Sequence, residues 1–263
     1  KRQVSLQPVE LAKLSLIAVL AKFFFKRHTD ISYLPTLFLS FVYPFIVFIL
    51  TLLQPDLGSA LVVLGIWFLI VFVSGIPYKY ILGLFILAAS FVALAWTFFL
   101  APYQKARIVN FIDPGRDVRG TGYNVYQSKI AVGSGGLWGK GINFGTQSKL
   151  SYLPEYETDF IFAAFAEEWG YVGVALCLIS FLVLILRILY LTGRMESNFE
   201  IIFSVGIAAY FIIHFCVNVG MNIGLLPVTG IPLPFMSSGG SHVLVEWVMI
   251  GMLISFTYHR KRM

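Results

Sequence analysis

The stretch FIFAAFAEEWGYVGVALCLISFLVLILRILYL, residues 160–191, decides the fold because its 32 residues include only three charged side chains. At 1.5 Å per residue, one helix of this length crosses the roughly 30 Å hydrocarbon core of a bilayer. Two of the charged residues are the adjacent Glu167 and Glu168, and Asp159 immediately precedes the run. An ionised side chain inside a membrane costs at least a few kcal/mol unless it is paired or hydrated. The membrane topology therefore decides what these acids do.

The rest of the chain has the same apolar character. Of its 263 residues 58% are hydrophobic and 12% are charged, and the mean hydropathy is +0.83. A soluble domain carries about 25% charged residues. Continuous apolar runs without strict alternation favour helices over a barrel. The sequence therefore predicts an all-α polytopic membrane protein, a single transmembrane domain over 1–263, with spans at 8–25, 33–53, 57–75, 80–100, 160–191, 200–218 and 242–258.

The basic residues predict the orientation of these seven spans. One set of connections carries nine Lys and Arg residues, and the short turns on the opposite side carry none. Because cytoplasmic connections are enriched in basic residues, the first set and the C-terminus are predicted to be cytoplasmic. The chain then begins outside, and since it does not begin with Met we expect an N-terminal part to be missing. The nine residues are Lys22, Lys26, Arg27, Lys79, Arg187, Arg194, Arg260, Lys261 and Arg262.

One long connection, residues 101–159, is predicted to be an extracytoplasmic loop. Long loops are translocated regardless of their charge, so its basic residues do not contradict the topology. A loop of this length is usually functional or disordered, and its aromatic side chains argue against disorder. We expect short amphipathic helices at the outer interface. The stretch YNVYQSKIAVGSGG, 123–136, is predicted to be one, with Gly135 and Gly136 ending it.

The acids at the end of this loop have two interpretations. Thr158 or Asp159 is suited to cap the following helix, where the helix dipole favours acids. Alternatively, Asp159 and Glu167 form one polar face, because eight residues correspond to about 80° around a helix. Glu167 and Glu168 then either assist Asp159 or form internal ion pairs that hold helices together.

Three more charged residues lie at the predicted outer ends of spans. Glu10 and Lys13 are three residues apart and share a helix face. They form an interface ion pair, or Lys13 is a fixed cation that binds a phosphate. Asp56 is either the N-cap of the third span or part of a pocket wall.

Further polar residues lie in the last third of the chain. The stretch PVTGIPLPFMSSGG, 227–240, contains Ser237 and Ser238, and its prolines and glycines exclude a regular helix. Non-helical backbone near a membrane must pack on protein or line a watery cavity, so we expect this loop to fold against other segments. His214 and Glu246 within spans are predicted to be structural hydrogen-bonding residues, and both cysteines to be free thiols.

The predicted outer side thus concentrates acids, an intramembrane cation and a basic loop. This combination favours a pocket for an anionic, amphipathic ligand delivered from the bilayer. The sequence has no nucleotide-binding glycine loop, no histidine cluster for a metal and no nucleophile elbow. Nucleic acid is excluded as a partner because acids interrupt the basic loop. A flippase or transporter would need polar groups continuing to the cytoplasmic side, whereas these groups cluster outside.

Four stretches together resemble one family: LQPVELAKL, QPDLGSALV, YQSKIAVGSGGLWGKGINFGTQSKLSYLPEYETDFIFAAFAEEWG and GLLPVTGIPLPFMSSGGS. They are similar to the SEDS family (shape, elongation, division and sporulation), and GTQS followed by YLPE is closer to the elongation (RodA) branch than to the division (FtsW) branch. The resemblance implies ten membrane helices, of which this chain holds the fourth to the tenth.

The resemblance also implies an activity. Such a protein is a peptidoglycan glycosyltransferase that polymerises lipid II for cell-wall elongation and cell shape. It acts at the outer face of the bacterial cytoplasmic membrane, in contact with membrane lipid and with a class B penicillin-binding protein. The alternatives are a division-branch polymerase, a precursor flippase, or a scaffold in which Asp159 is dispensable.

The implied site has one catalytic residue. Asp159 occupies the position of the family's essential aspartate, and we expect it to accept the proton of the attacking sugar hydroxyl. Lys13 occupies the position of the family's lysine and, with loop cations, would stabilise the leaving pyrophosphate. The sequence shows no metal site, although a divalent cation at the pyrophosphate is compatible with it. The predicted substrate-binding residues are Lys13, Glu10, Asp56, Lys129, Lys140, Glu167, Glu168, Ser237 and Ser238.

Overall fold

The computed structural model describes residues 7–27, 34–99, 101–112, 121–150 and 152–259, which are helical over most of their length. Arg260, Lys261 and Arg262, which contribute to the predicted orientation, lie outside these residues. The α-helices of the described part are α1 Pro8–Lys26, α2 Leu34–Leu53, α3 Leu57–Val73, α4 Tyr78–Leu94, α5 Pro102–Ile112, α6 Thr121–Ser134, α7 Thr146–Lys149, α8 Ile161–Thr192, α9 Asn198–Asn222 and α10 Gly240–His259.

Each of the seven predicted spans coincides with a helix, and most helix ends agree within a few residues. The largest differences are at the end of the fourth span, where a π-helical turn, Ala95–Phe99, follows α4, and at the end of α9. Within the described residues, α2, α8, α9 and α10 are long and apolar enough to cross a membrane, and α3 is a shorter apolar helix of 17 residues. The all-α membrane fold is confirmed, and the count of seven spans stays a prediction.

The chain forms two compact units, the first of which comprises Lys1–Phe99, Ile185–Ile213 and Gly240–Met263. In this unit α1 packs against α2, α3 and α10, and α2 packs against α3. The indole N–H of Trp67 on α3 donates to Ser40 Oγ on α2 at 3.0 Å, and Phe41 packs edge-on against the same ring. Buried aliphatic side chains of α1 and α3, including Ile17 and Ile66, form the core.

The second unit comprises Leu100–Leu184 and His214–Gly239, so the whole range of the predicted loop, 101–159, falls within it. Here α6 packs against α5 and α7. The predicted helix in this loop is confirmed: α6 ends at Ser134, and the two glycines that follow include Gly136 in the left-handed region. Its place at the outer interface stays a prediction. Ala131, Leu153, Phe160 and Ala163 form a small buried core that joins α6 to the start of α8.

The helix α8 is broken at Gly170, which corrects the expectation of one continuous helix over 160–191. Gly170 has φ 63° and ψ −166°, a conformation that is accessible to glycine and strained for other residues. The residues before and after it are helical. The helix α8 therefore consists of a short first part, 161–169, the break at Gly170 and a longer second part, 171–192.

Candidate active site

The break in α8 is filled by a loop segment of the second unit. The amides of Lys140 and Gly141 donate to the carbonyl oxygens of Glu167 and Glu168, each at 3.0 Å. In the opposite direction, the amides of Tyr171 and Val172 donate to carbonyl oxygens of the 136–137 peptides at 2.8 and 3.1 Å. The loop thus satisfies backbone groups that any helix end leaves unpaired.

Glycines allow this close approach of two backbones. A methyl group at Gly139 would overlap the carbonyl of Glu168, and one at Gly170 would overlap the amide of Gly139. A methyl group at Gly135 would likewise overlap the carbonyl of Ala166. The glycine-rich composition of this part of the loop therefore has a packing cause.

Glu167 fixes the next part of the same loop. Its carboxylate accepts from Lys140 Nζ at 2.7 Å and from the amide and hydroxyl of Thr146 at 2.9 Å each. The amide of Gln147 lies 3.2 Å from both carboxylate oxygens. Glu167 is fully buried, so these bonds replace its hydration. The interpretation of Glu167 as an internal ion pair fits this geometry. Glu168 beside it is half-buried.

Asp159 lies two residues before α8, on a peptide that two asparagines of α9 hold. Asn218 Nδ2 and Asn222 Nδ2 each donate to the carbonyl oxygen of Asp159 at 3.0 Å. Asn222 Oδ1 accepts the amide of Ala163 at 3.1 Å. Asn222 therefore caps the first turn of α8, a role that the sequence had suggested for Thr158 or Asp159.

The two asparagines bind two further segments of the second unit. Asn218 Nδ2 also donates to the carbonyl of Ile231 at 2.8 Å, and the hydroxyl of Ser128 on α6 donates to the carbonyl of Asn222 at 2.7 Å. Both asparagines are fully buried. Sequence analysis missed them, although two asparagines one turn apart in an apolar run are a signal that buried amides need partners.

The predicted serines bind the peptides beside Asp159. Ser237 Oγ donates to the carbonyl of Thr158 at 2.7 Å and accepts the amide of Leu233 at 2.8 Å. The amide of Ser238 donates to the carbonyl of Glu157 at 2.8 Å. The 227–240 loop therefore folds against the start of α8, as the sequence predicted.

The side chain of Asp159 remains half-buried beside Gly230 of the same loop. A Cβ at Gly230 would lie 3.4 Å from Asp159 Oδ2. The structure thus combines a fixed backbone with a carboxylate that is partly accessible.

The two predicted loop cations have different environments. Lys129, next to Ser128 in the second half of α6, is exposed, and its side chain lies over Gly224, two residues after Asn222. Lys140 Nζ is bonded to Glu167 and to Thr146 Oγ1 at 2.8 Å. Only 29% of the Lys140 side chain is exposed. Ser128, the neighbour of Lys129, bonds the same Asn222 that holds the Asp159 carbonyl. Lys140 is instead paired with Glu167.

The first unit contains a separate buried ion pair. Lys13 Nζ lies 2.8 Å from Glu10 Oε1, and the hydroxyl of Tyr210 donates to Glu10 Oε2 at 3.0 Å. The ammonium also lies 5.8 Å from the centre of the Tyr210 ring. Lys13 is 0% exposed. The structure brings Glu10 and Lys13 together as predicted, in a buried pair rather than in an open cavity.

The remaining predicted residues have structural contacts. Asp56 is the N-cap of α3, and its Oδ1 accepts the amide of Ser59 at 2.9 Å, which confirms that interpretation. His214 Nδ1 lies 3.3 Å from the carbonyl of Pro232. Glu246 Oε1 lies 3.7 Å from His242 Nε2. Among the described residues, both cysteines are free and no three His, Cys, Asp or Glu side chains converge as metal ligands.

The sequence was also compared with known families. The family model FtsW/RodA/SpoVE, described as cell cycle protein, matches residues 2–262. The chain belongs to this family. With its apolar helices, membership makes the protein an integral protein of the cytoplasmic membrane, and it confirms the resemblance stated above.

Individual members of the family are similar over almost the whole chain. Peptidoglycan glycosyltransferase MrdB of Escherichia coli K12 is 39% identical over 98% of this chain and 70% of its own length. Stage V sporulation protein E of Bacillus subtilis is 37% identical with the same coverage.

Solved structures show the same fold. A chain from a study of how a peptidoglycan synthase complex coordinates polymerization and crosslinking matches with a TM-score of 0.74 at 34% identity, covering 97% of this chain and 70% of that one. The rod shape determining protein RodA of Thermus thermophilus matches with a TM-score of 0.64 at 32% identity, covering 97% and 66%.

Proposed function

We propose that this protein is a peptidoglycan glycosyltransferase that polymerises lipid II at the outer face of the cytoplasmic membrane, for cell-wall elongation. The names of its relatives support the activity, and the distribution of basic residues supports an outward-facing site and a cytoplasmic C-terminus. The observation that carries the proposal is Asp159, an accessible carboxylate on a peptide that Asn218, Asn222 and Ser237 hold by side-chain hydrogen bonds.

In the proposed reaction a sugar hydroxyl attacks the anomeric carbon of a second lipid-linked sugar. The new carbon–oxygen bond forms as the bond to the pyrophosphate oxygen breaks, and the polyprenyl pyrophosphate leaves with the bonding electrons. Asp159 takes the hydroxyl proton in the same step, which is typically worth about 10²–10⁴-fold in rate. A single displacement inverts the anomeric centre.

The fixed backbone explains how the base keeps its position. A general base must lie about 3 Å from the proton it accepts, and a displacement of about 1 Å can cost 10²-fold in rate. Asn218 and Asn222 fix the carbonyl of Asp159, and Ser237 fixes the carbonyl of Thr158 before it. The carboxylate is one short side chain away from these anchors, so its range of motion is small.

Charge on the leaving pyrophosphate needs a cation. Of the three predicted lysines, Lys13 is buried against Glu10 and Lys140 is bonded to Glu167. Lys129 is exposed and lies next to the residue that bonds Asn222. We therefore assign the pyrophosphate contact to Lys129 and structural roles to Lys13 and Lys140.

The test uses the full-length protein with a class B penicillin-binding protein, the partner class that the family resemblance implies. We would incubate the complex with labelled lipid II and resolve glycan products on a gel, for the parent, Asp159→Asn and Glu155→Gln. Glu155 is an exposed acid four residues earlier and serves as the matched control. We expect a ladder from the parent and the control and none from a folded Asp159→Asn protein.

Two results would count against the proposal. An undiminished ladder from Asp159→Asn would remove Asp159 as the base while leaving polymerisation intact. No ladder from a folded parent complex would overturn the glycosyltransferase itself and favour a transporter or scaffold.

A further inference from the structure

The 136–144 segment, which fills the break in α8, has an unusual distribution of polar and apolar groups. Its backbone is bonded inward, since the carbonyls of Gly136 and Leu137 and the amides of Lys140 and Gly141 all pair with α8. The amides of Gly139 and Phe144 are bonded to preceding carbonyls in the same loop. This pairing with protein satisfies several of the segment's backbone groups, which lowers the cost of placing non-helical backbone at the edge of a membrane.

Its large apolar side chains point the other way. Trp138 is 80% exposed, and Leu137, Ile142 and Phe144 are each exposed by about two thirds of their surface. Four exposed large apolar side chains within eight residues form a patch of a kind that marks a membrane or protein contact. All of these side chains belong to the second unit.

The helix α8, to which the segment is bonded, also carries exposed apolar side chains. Trp169 and Tyr171, on either side of the break, are exposed, and the exposed side chains Leu176, Ile179 and Leu182 follow further along the helix. Trp and Tyr are enriched at the boundary between membrane and water. The loop and α8 therefore both expose apolar side chains of the kind that a membrane covers.

The length of α8 places the break at that boundary. The 22 residues from 171 to 192 extend about 33 Å at 1.5 Å per residue, which matches a hydrocarbon core of about 30 Å. The whole helix of 32 residues would extend about 48 Å and exceed the core. A span formed by residues 171–192 alone would end at Gly170 and at the segment bonded to it.

We propose that the 136–144 segment is an interfacial membrane anchor. Leu137, Trp138, Ile142 and Phe144 enter the acyl–headgroup boundary of the leaflet at the Gly170 end of α8. Lys149, which is exposed and lies 5.9 Å from the Phe144 ring centre, is placed to meet lipid phosphate. This inference does not depend on the proposed enzymatic activity, because it follows from backbone pairing, exposure and helix length.

The test measures the depth of a spin label at position 138. The full-length protein, with Cys177 and Cys216 replaced by Ser, would carry Trp138→Cys in nanodiscs of phosphatidylglycerol and phosphatidylethanolamine. Oxygen concentrates in the bilayer and a nickel chelate stays in water, so their relaxation effects report depth. Labels at Ile179 and Glu155 are the matched lipid and water references, since both residues are exposed.

We expect the oxygen-to-nickel ratio at position 138 to lie near that of position 179 and several-fold above that of position 155. A label at Phe144→Cys gives the same comparison if the Trp138 variant does not fold. A ratio equal to that of position 155 would overturn the proposal. Protection from both reagents, present only when the penicillin-binding protein is bound, would overturn it as well by assigning the patch to a protein partner.

Discussion

Replacing Glu167 by Gln tests whether this buried acid stabilises the loop or takes part in the reaction. The carboxylate accepts hydrogen bonds from Lys140, Thr146 and Gln147 at 2.7–3.2 Å and is fully buried. Glutamine keeps one carbonyl oxygen, but it loses the charge and directs an NH₂ group at amides that also donate. The variant therefore leaves Lys140 without its counter-ion.

The expected cost follows from these contacts. Breaking a buried ion pair by removing one partner costs about 3–5 kcal/mol. Lys140 is 29% exposed and can regain part of its hydration, and the remaining carbonyl oxygen still accepts from Thr146, so the cost falls at or below the lower end of this range. We expect a loss of about 2–3 kcal/mol, since hydrogen bonds to charged groups contribute about 1.5–3 kcal/mol each. This corresponds to a fall of about 5–10 °C in unfolding temperature for a chain of this size.

Thermal unfolding followed by intrinsic tryptophan fluorescence measures the effect. Glu168→Gln is the matched control, because the adjacent acid is half-buried and we expect its unfolding temperature to change little. Lys140→Met completes a double-mutant cycle, in which the two substitutions together should cost less than their sum by about 1–2 kcal/mol. Equal unfolding temperatures for Glu167→Gln and Glu168→Gln would refute the anchoring role. A stable Glu167→Gln protein without polymerase activity would instead place the carboxylate in the reaction.

Two further predictions concern Gly170, where α8 is broken, and Asn222, which holds the Asp159 carbonyl. Gly170→Ala should destabilise the protein by about 3 kcal/mol or prevent folding, because its methyl group would overlap a loop amide at φ 63°. Gly251→Ala, whose methyl group meets nothing within 4 Å, should unfold at or slightly above the parent temperature in the same assay. Asn222→Asp keeps the acceptor for Ala163 and loses the donor to Asp159. We expect it to lower kcat for lipid II polymerisation by about 10–100-fold with little change in KM. A rise in KM with kcat unchanged would contradict a positioning role.

The helices at the seven predicted spans could be predicted from sequence because an apolar helix of this kind needs little more than an apolar run of sufficient length. The end of α6 could be predicted from sequence for a different reason. Gly135 and Gly136 end the helical pattern, and Gly136 has the left-handed conformation that favours glycine after a helix. Both kinds of signal lie within a short stretch of the chain, so a single sequence is enough to detect them.

The contacts of the candidate site were harder to predict because they join segments that are far apart in the sequence. Asp159 was recognisable as an acid before an apolar run. The hydrogen bonds that hold its carbonyl come from Asn218 and Asn222 of α9, 59 and 63 residues later. Asn218 and Asn222 carried a detectable signal as paired amides in an apolar helix. Their acceptor is a backbone carbonyl, which every residue has, so no sequence pattern identifies it.

The break in α8 answers why acids stand at the start of an apolar helix. Glycine is common in membrane helices, so Gly170 gives no sign of a break, and its conformation depends on a loop about thirty residues earlier. Because residues 171–192 alone match the thickness of the hydrocarbon, Glu167 and Glu168 need not lie inside it. The large cost of a membrane-buried charge then does not apply to them. The cost of burial in protein does apply to Glu167, and Lys140 together with the first amides of α7 offsets it. In the membrane placement proposed above, the acids lie beyond the end of the span, in the unit that also holds the first half of α8, the docked loop and the proposed base Asp159.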